Sequence, residues 1–204
     1  MISTYSDLGE NHIDALREIG NIGAGNAASS LAVLLGEDVH IGVPQVRIEP
    51  YENVIRSLGG PEELGVAVLV DFLGEASGVV LFILSMQDAN RILSIMAGTP
   101  DADEEALTDM KLSAIMEIGN ILGSSYLGSV ATLTGMQIRV DVPRVAIDML
   151  GAILAEPIAA YGAGENQVMF IEESFSSARS DLHSHVILFT EMATLAEIMK
   201  RLGI

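Results

Sequence analysis

The chain of 204 residues contains no cysteine and no tryptophan. Without a thiol there is no disulfide framework, thiolate metal site or cysteine nucleophile, and a reducing, intracellular compartment is the natural setting. Positive charge is scarce as well: 10 Lys plus Arg stand against 28 Asp plus Glu, for a formal charge of −18. Such a surface offers little to the phosphates of DNA, RNA or an anionic membrane, so nucleic acid is a poor candidate partner. Met1 to Asn11 carries Asp7 and Glu10 and lacks the basic start and apolar run of a secretion signal, which points to the cytoplasm. Two stretches without charge, Ile19 to Gly36 and Ile118 to Ile138, are long enough to cross a bilayer. Their richness in Gly, Ala, Ser, Thr and Asn suits buried helices better, and no membrane insertion is expected. No Gly-x-Ser-x-Gly elbow is present, which argues against covalent hydrolase chemistry.

What is present is a repeat. Asp14-Ala-Leu-Arg-Glu18-Ile-Gly-Asn21-Ile22 returns as Ser113-Ala-Ile-Met-Glu117-Ile-Gly-Asn120-Ile121, 99 residues later (14 to 113). The offset then holds without a gap: Gly36 maps to Gly135, Val43-Pro44 to Val142-Pro143, Val46 to Val145 and Ile48 to Ile147. With half of its residues apolar, the chain can bury one sizeable core. We therefore expect a single domain over 1–204 made of two homologous halves, about 8–100 and 107–204, joined by an acidic linker at 101–106.

Each copy begins with helical periodicity. Leu16, Ile19, Ile22, Ala27, Leu31 and Leu34 share a stripe, Asn11 is a candidate cap, and Gly36 suits the left-handed end. Val39 to Ile48 reads as a strand broken by Pro44, the mark of a sheet edge or bulge. Gly65 to Leu73 and Gly78 to Ser85 predict a hairpin, and Gln87 to Ala97 a second helix. The second copy predicts a helix over Thr108 to Thr134, strands over Ile138 to Met149, Val168 to Phe175 and His185 to Thr190, and a helix from Ala193. The fold class is α/β (α+β), a pseudo-twofold duplication in which each half has a long helix, about three strands and a second helix. Three strands leave an edge and a face unsatisfied, so the halves should share one continuous sheet, and neither should fold well alone.

Positions i and i+3 lie on one helix face, so Glu18 with Asn21, and Glu117 with Asn120, present a carboxylate beside an amide. Asp14 and Ser113 extend each row by a turn. Gly20 and Gly119 beside the pairs are expected to let a partner approach the helix closely. An isolated pair of this kind would ordinarily be a solvated face. Its recurrence, and the retention of Asn mid-helix despite poor propensity, favour function.

Weaker signals lead elsewhere. Gly20 to Gly25 imitates a phosphate-binding glycine loop but lies within a helical pattern and lacks a Lys. His183 and His185 alternate on a strand without a third ligand at a recognisable spacing, and surface positions fit them better. The Asp101 to Glu105 run lacks the glycine turn and closing Glu of a calcium loop. Met96, Met116, Met149 and Met199 read as fillers of core gaps.

The twice-repeated pattern of Asp14 or Ser113, Glu18 or Glu117, Asn21 or Asn120, and Pro44 or Pro143 resembles the signature of the CheC-type chemotaxis phosphatases, the CheC, CheX and FliY family. Two intact pairs resemble CheC and FliY rather than CheX, and the lack of added domains favours CheC. The resemblance implies hydrolysis of the phosphoaspartate of a CheY-type response regulator in chemotaxis signalling. Glu18, Asn21, Glu117 and Asn120 then match the catalytic pairs, with Asp14, Ser113, Gly20, Gly119, Pro44 and Pro143 supporting them or the partner. An amide can aim a water at an acyl phosphate, whereas the carboxylate makes sense paired with a cation of the partner. No cofactor or metal of the chain's own is implied, and Mg2+ is expected from the regulator. The receptor deamidase CheD is an implied second partner, and a non-catalytic adaptor binding CheD or the regulator is the alternative. One departure stands out: Gly23-Ala-Gly25-Asn26 becomes Leu122-Gly-Ser124-Ser125, so the two sites need not be equal.

Overall fold

The computed structural model describes residues 2–97, 109–161, 166–177 and 181–204, the side chains of 173–177 and 181–184 excepted. The expected linker lies outside the described residues. After a 3-10 turn at Tyr5–Asp7, the first half runs α1 (Glu10–Leu35), β1 (Val39–Ile41), β2 (Gln45–Pro50), α2 (Tyr51–Ser57), β3 (Leu64–Gly74), β4 (Gly78–Ser85) and α3 (Met86–Ala97). The second runs α4 (Asp109–Thr134), β5 (Ile138–Val140), β6 (Arg144–Met149), α5 (Leu150–Tyr161), β7 (Gln167–Ser177), β8 (Asp181–Thr190) and α6 (Met192–Leu202).

The 99-residue offset survives folding. Both long helices have 26 residues, and their first and last positions correspond at that spacing. Each ends at a left-handed glycine, Gly36 (φ 69°) or Gly135 (φ 68°), whose N–H donates to the carbonyl of Ala32 or Ala131. Only glycine adopts that backbone without strain. Asn11 does not cap α1, contrary to expectation: the helix starts one residue before it, with Gly9 at the cap position. The N–H of Gly9 donates to Nδ1 of His12, 2.9 Å away.

All strands belong to one antiparallel sheet in the order β1-β7-β8-β4-β3-β5, with β2 continuing β1 along β7 and β6 continuing β5 along β3. The continuous sheet expected from the repeat is present, and the halves build it by exchange. The first half's β1 and β2 hydrogen-bond to β7 of the second, while β5 and β6 hydrogen-bond to β3 of the first. The breaks before Pro44 and Pro143 fall on the two outer edges, where a residue without an N–H costs no ladder bond. β4 and β8 meet at the centre, with Phe82 opposite Val186.

Both sheet faces are covered. Val66, Val68, Val70 and Phe72 alternate with Ala67 and Leu69 along β3, and all are buried. The first set joins the core with α1, α3, α4 and α6, and the second joins a smaller core with α2 and α5. Helices α2 and α5 correct the expectation of one second helix per half. The sequence hid them because α2 is seven residues long, whereas α5 is apolar nearly all round and carries Pro157 internally. Met199, Met169 and Met136 fill the core as expected of methionine, but Met149 is exposed.

α1 and α4 pack antiparallel: Gly23 abuts Tyr126, while Leu16, Ile19 and Gly20 share a small apolar cavity with Leu127 and Val130. The two helices meet the rest of the core differently. A Cβ at Gly119 would stand 2.2 Å from Cγ1 of Val68, and one at Gly123 2.8 Å from Cγ1 of Val70. A Cβ at Gly20 would meet Pro44 at 3.5 Å, an ordinary contact. Gly119→Ala should therefore destabilise the protein by about 1–3 kcal/mol through overpacking. Gly20→Ala should be neutral or stabilise by up to about 1 kcal/mol through helix propensity. Thermal unfolding midpoints in the reverse order would contradict this packing.

Candidate functional site

One exposed stripe runs along each long helix. On α1, Asp14, Glu18 and Gly25 are exposed and Asn21 is half-buried; on α4, Ser113, Glu117 and Ser124 are exposed and Asn120 is half-buried. Residues 14, 18, 21 and 25 follow the i, i+4, i+7, i+11 spacing of a single helix face, as do their counterparts. The opposite face, with Leu16, Ile19, Gly20 and Gly23, is buried in the core. The carboxylate and amide of each pair therefore point outward together, held by helices that are fixed from beneath.

The chemistry of each pair is uncommitted. Asp14 is engaged by the guanidinium of Arg17 one turn on, and the Ser113 hydroxyl donates to the Asp109 carbonyl at 2.9 Å. Among the described residues, by contrast, no hydrogen bond or ion pair engages the side chain of Glu18, Asn21, Glu117 or Asn120. Each site thus offers one acceptor-only carboxylate and one amide able both to donate and to accept.

Gly20 and Gly119 do not do what was expected of them. Two residues beyond the Glu is about 200° around the helix, which turns each glycine inward. Gly20 lies against Pro44 and Gly119 against Val68, both in the core, so neither opens the helix to a partner. Pro44 and Pro143 are likewise buried. Their contribution is to position: Pro44 clamps the β1–β2 break onto α1 at Gly20.

In the second half the corresponding break is tied to the sheet. The Asp141 N–H donates to the Asp71 carbonyl at 2.8 Å, and Arg144 donates from Nε and Nη2 to Oδ2 of Asp71 at 3.2 and 3.0 Å. Burial works against the Arg144 cation, but the hydrogen bond and charge of Asp71 outweigh it and raise its pKa above the ordinary value. Sequence reasoning missed Gly25 and Ser124 as continuations of the stripes, although the seven-residue step from Glu18 and Glu117 would have found them. It also placed Val43 in a strand, whereas the residues before both prolines leave the ladder, and Val43 and Val142 are 74% and 77% exposed.

Among the described residues no group of three or more acidic or histidine side chains is gathered as a metal cage, and no helix is long and apolar enough to cross a membrane. His185, expected at the surface, is half-buried and stacked on Phe170 with ring centroids 5.5 Å apart.

A long helix carrying the acid–amide pair, a proline-broken edge strand and a strand hairpin, all present twice in one sheet, define a duplicated α/β fold with two equivalent acid–amide faces. The CheC-like family model matches residues 12–48 and 110–147, one segment in each half and each containing a Glu/Asn pair. The CheY-P phosphatase CheC of Bacillus subtilis (strain 168) is 31% identical over 99% of this chain and 99% of its own length. The chain belongs to the CheC-like family. The crystal structure of FliY from Thermotoga maritima superposes with a TM-score of 0.77 at 25% identity, covering 96% of this chain and 98% of that one. A chain of the FliG–FliM complex of H. pylori shares the fold at 13% identity, with a TM-score of 0.70 over 93% of this chain and 100% of that one.

Residues kept for an outside partner should be dispensable to the fold. Asn21→Ala and Asn120→Ala are expected to leave stability unchanged or raise it by about 0.5 kcal/mol each, because Ala is the better helix former. A fall of more than about 1 kcal/mol in urea unfolding would mark Asn21 or Asn120 as structural.

Proposed function

We propose that the chain is a phosphatase that hydrolyses the phosphoaspartate of a CheY-type response regulator, using Asn21 and Asn120 to direct water and Glu18 and Glu117 to orient the partner. The observation that carries this reading is the duplicated, outward-facing Glu/Asn pair without an internal partner. It occurs in a family member matched along nearly its whole length by a protein named CheY-P phosphatase.

The chemistry asks little of the protein beyond placement. The phosphoaspartate is an acyl phosphate, so a water aligned opposite its leaving carboxylate needs orientation more than a strong base. An amide does this by accepting from the water O–H while its NH2 donates to a phosphoryl oxygen. A free carboxylate near a phosphoryl group repels it unless a cation intervenes, so the Glu is assigned to a lysine or arginine of the regulator. Magnesium is assigned to the regulator as well.

The second reading is an adaptor that binds the regulator, or CheD, without hydrolysis. Its support is the shared fold of FliM, a protein crystallised as a FliG–FliM complex. The duplicated pair favours the enzyme, because an adaptor has no need to keep an amide at the same helical position twice.

The test is loss of phosphate from a phosphorylated CheY-type regulator in the presence of the purified chain. Acceleration is expected, and its absence at stoichiometric amounts would leave the adaptor. Asn21→Ala combined with Asn120→Ala should lower the accelerated rate by on the order of 100-fold. Full activity in that double variant would overturn the site assignment, and the two single variants apportion the rate between the sites.

A further inference from the structure

We propose that Ser124 is a further substrate-contacting residue of the α4 site, its hydroxyl donating to the phosphoryl group beside Asn120, and that Gly25 withholds this contact from the α1 site; the inference rests on the phosphatase reading above. An exposed serine on a helix is ordinarily no more than solvated. Ser124 differs in where it stands and in what its hydroxyl does. It is exposed one turn after Asn120 and two after Glu117, on the face that both share. Side chains four apart on a helix have Cβ atoms about 5–6 Å from each other. Because the Cα–Cβ bond tilts toward the helix N-terminus, the Ser124 hydroxyl leans toward the amide of Asn120.

Other hydroxyls of the two long helices are spent on their own backbone. Ser29, Ser30, Ser113, Ser129, Thr132 and Thr134 each donate to the carbonyl four residues earlier. Among the described residues no hydrogen bond engages the Ser124 hydroxyl, although the Asn120 carbonyl stands at the same spacing. Ser125 makes none either, but it is half-buried and about 100° farther round, off the stripe. Ser124 is thus a free donor placed beside a free amide.

The ligand follows from charge. Glu117 and a formal charge of −18 disfavour a phosphoryl group, so the site has to receive it through neutral donors. The NH2 of Asn120 supplies one and the Ser124 hydroxyl a second; with each hydrogen bond spanning about 2.8 Å, both reach one phosphoryl group. Ser124 keeps its proton. The bond from water to phosphorus forms as that from phosphorus to the aspartyl oxygen breaks, and both hydrogens of the water leave on inorganic phosphate. In the first half the equivalent position is Gly25, exposed, where an added Cβ would meet nothing within 4 Å. Packing does not require a glycine there, and glycine is a poor helix former. Its effect is to leave the α1 site with the amide alone.

Asn21→Ala isolates the α4 site and Asn120→Ala the α1 site. Hydrolysis of a phosphorylated CheY-type regulator is measured at steady state in each background, and binding of the same regulator activated by beryllofluoride is measured by titration. With Asn21→Ala present, Ser124→Ala should lower kcat/KM by about tenfold and weaken the beryllofluoride complex, whereas Ser124→Thr, which keeps a hydroxyl, should stay within about threefold. Thr132→Ala, which removes a hydroxyl already bound to the helix, should change neither. With Asn120→Ala present, Gly25→Ser should raise kcat/KM by about threefold or more. The thermal midpoint of Ser124→Ala should equal or exceed that of its parent, because Ala is the better helix former. An unchanged kcat/KM in Ser124→Ala, an equal loss in Ser124→Thr or Thr132→Ala, or a lowered midpoint would overturn the assignment of Ser124; no rise in Gly25→Ser would overturn that of Gly25. Binding without hydrolysis by the wild type would refute the phosphatase reading and leave the titration to decide on Ser124; absence of both would refute both.

Discussion

The structure depends on the exchange of edge strands between halves. β1 and β2 complete the sheet of the second half along β7, and β5 and β6 complete that of the first along β3. The registers correspond: Gln45 faces Glu172 as Arg144 faces Leu69, and Val39 faces Ser177 as Ile138 faces Gly74. A one-residue slip in either ladder would turn every side chain of that strand to the other face. Such a slip would also move the proline that meets the long helix. The position of each Glu/Asn pair relative to its flanking loop is therefore set by pairing with the opposite half.

Through Pro44 this constraint reaches the site. A proline in a central strand would forfeit a ladder bond, but at an edge its ring can turn inward and pack as a small apolar group. Pro44 does so against Gly20, where even an added Cβ would stand in ordinary contact with its ring at 3.5 Å. The glycine and proline of the repeated motif thus work from beneath, while the Glu and Asn work from above. One helical turn carries both because 200° separates Glu18 from Gly20.

Much of this was legible in the residues. The offset of 99, the two long helices, their glycine ends, the broken edge strands and the four outward side chains all follow from short-range pattern. The shared sheet followed from counting unsatisfied edges. The exchange itself was not legible, because pairing β2 with β7 joins residues such as Gln45 and Glu172 that no local signal connects. Helices α2 and α5 were hidden by short length and by apolarity on all sides. The direction of Gly20 and Gly119 was available from helical geometry, but attention to their neighbours in sequence took them for neighbours in space. Val43 and Val142 were assigned to strands because β-branched residues before a proline resemble the end of a strand. Only the fold shows that the ladder has already stopped there.

The two halves are related but not identical, and the differences gather where a twofold arrangement forces equivalent residues into one crossing. Gly23 of α1 receives Tyr126 of α4. Their counterparts are Leu122 and Ala27, both buried, so the small-with-large combination of the first pair becomes large-with-small in the second. A perfect repeat would set glycine with tyrosine, or leucine with alanine, in both pairs, whereas this chain has one of each. The asymmetry spreads to the supports of the sites. α4 is locked onto the sheet by Gly119 over Val68 and Gly123 over Val70, whereas α1 rests on Pro44 with a cavity of about 50 Å³ beneath Gly20 and the Tyr126 hydroxyl buried beside it without a hydrogen-bond partner. Identical Glu/Asn pairs are thereby carried on unequal foundations, so identity of the outward residues does not by itself make the two sites equal.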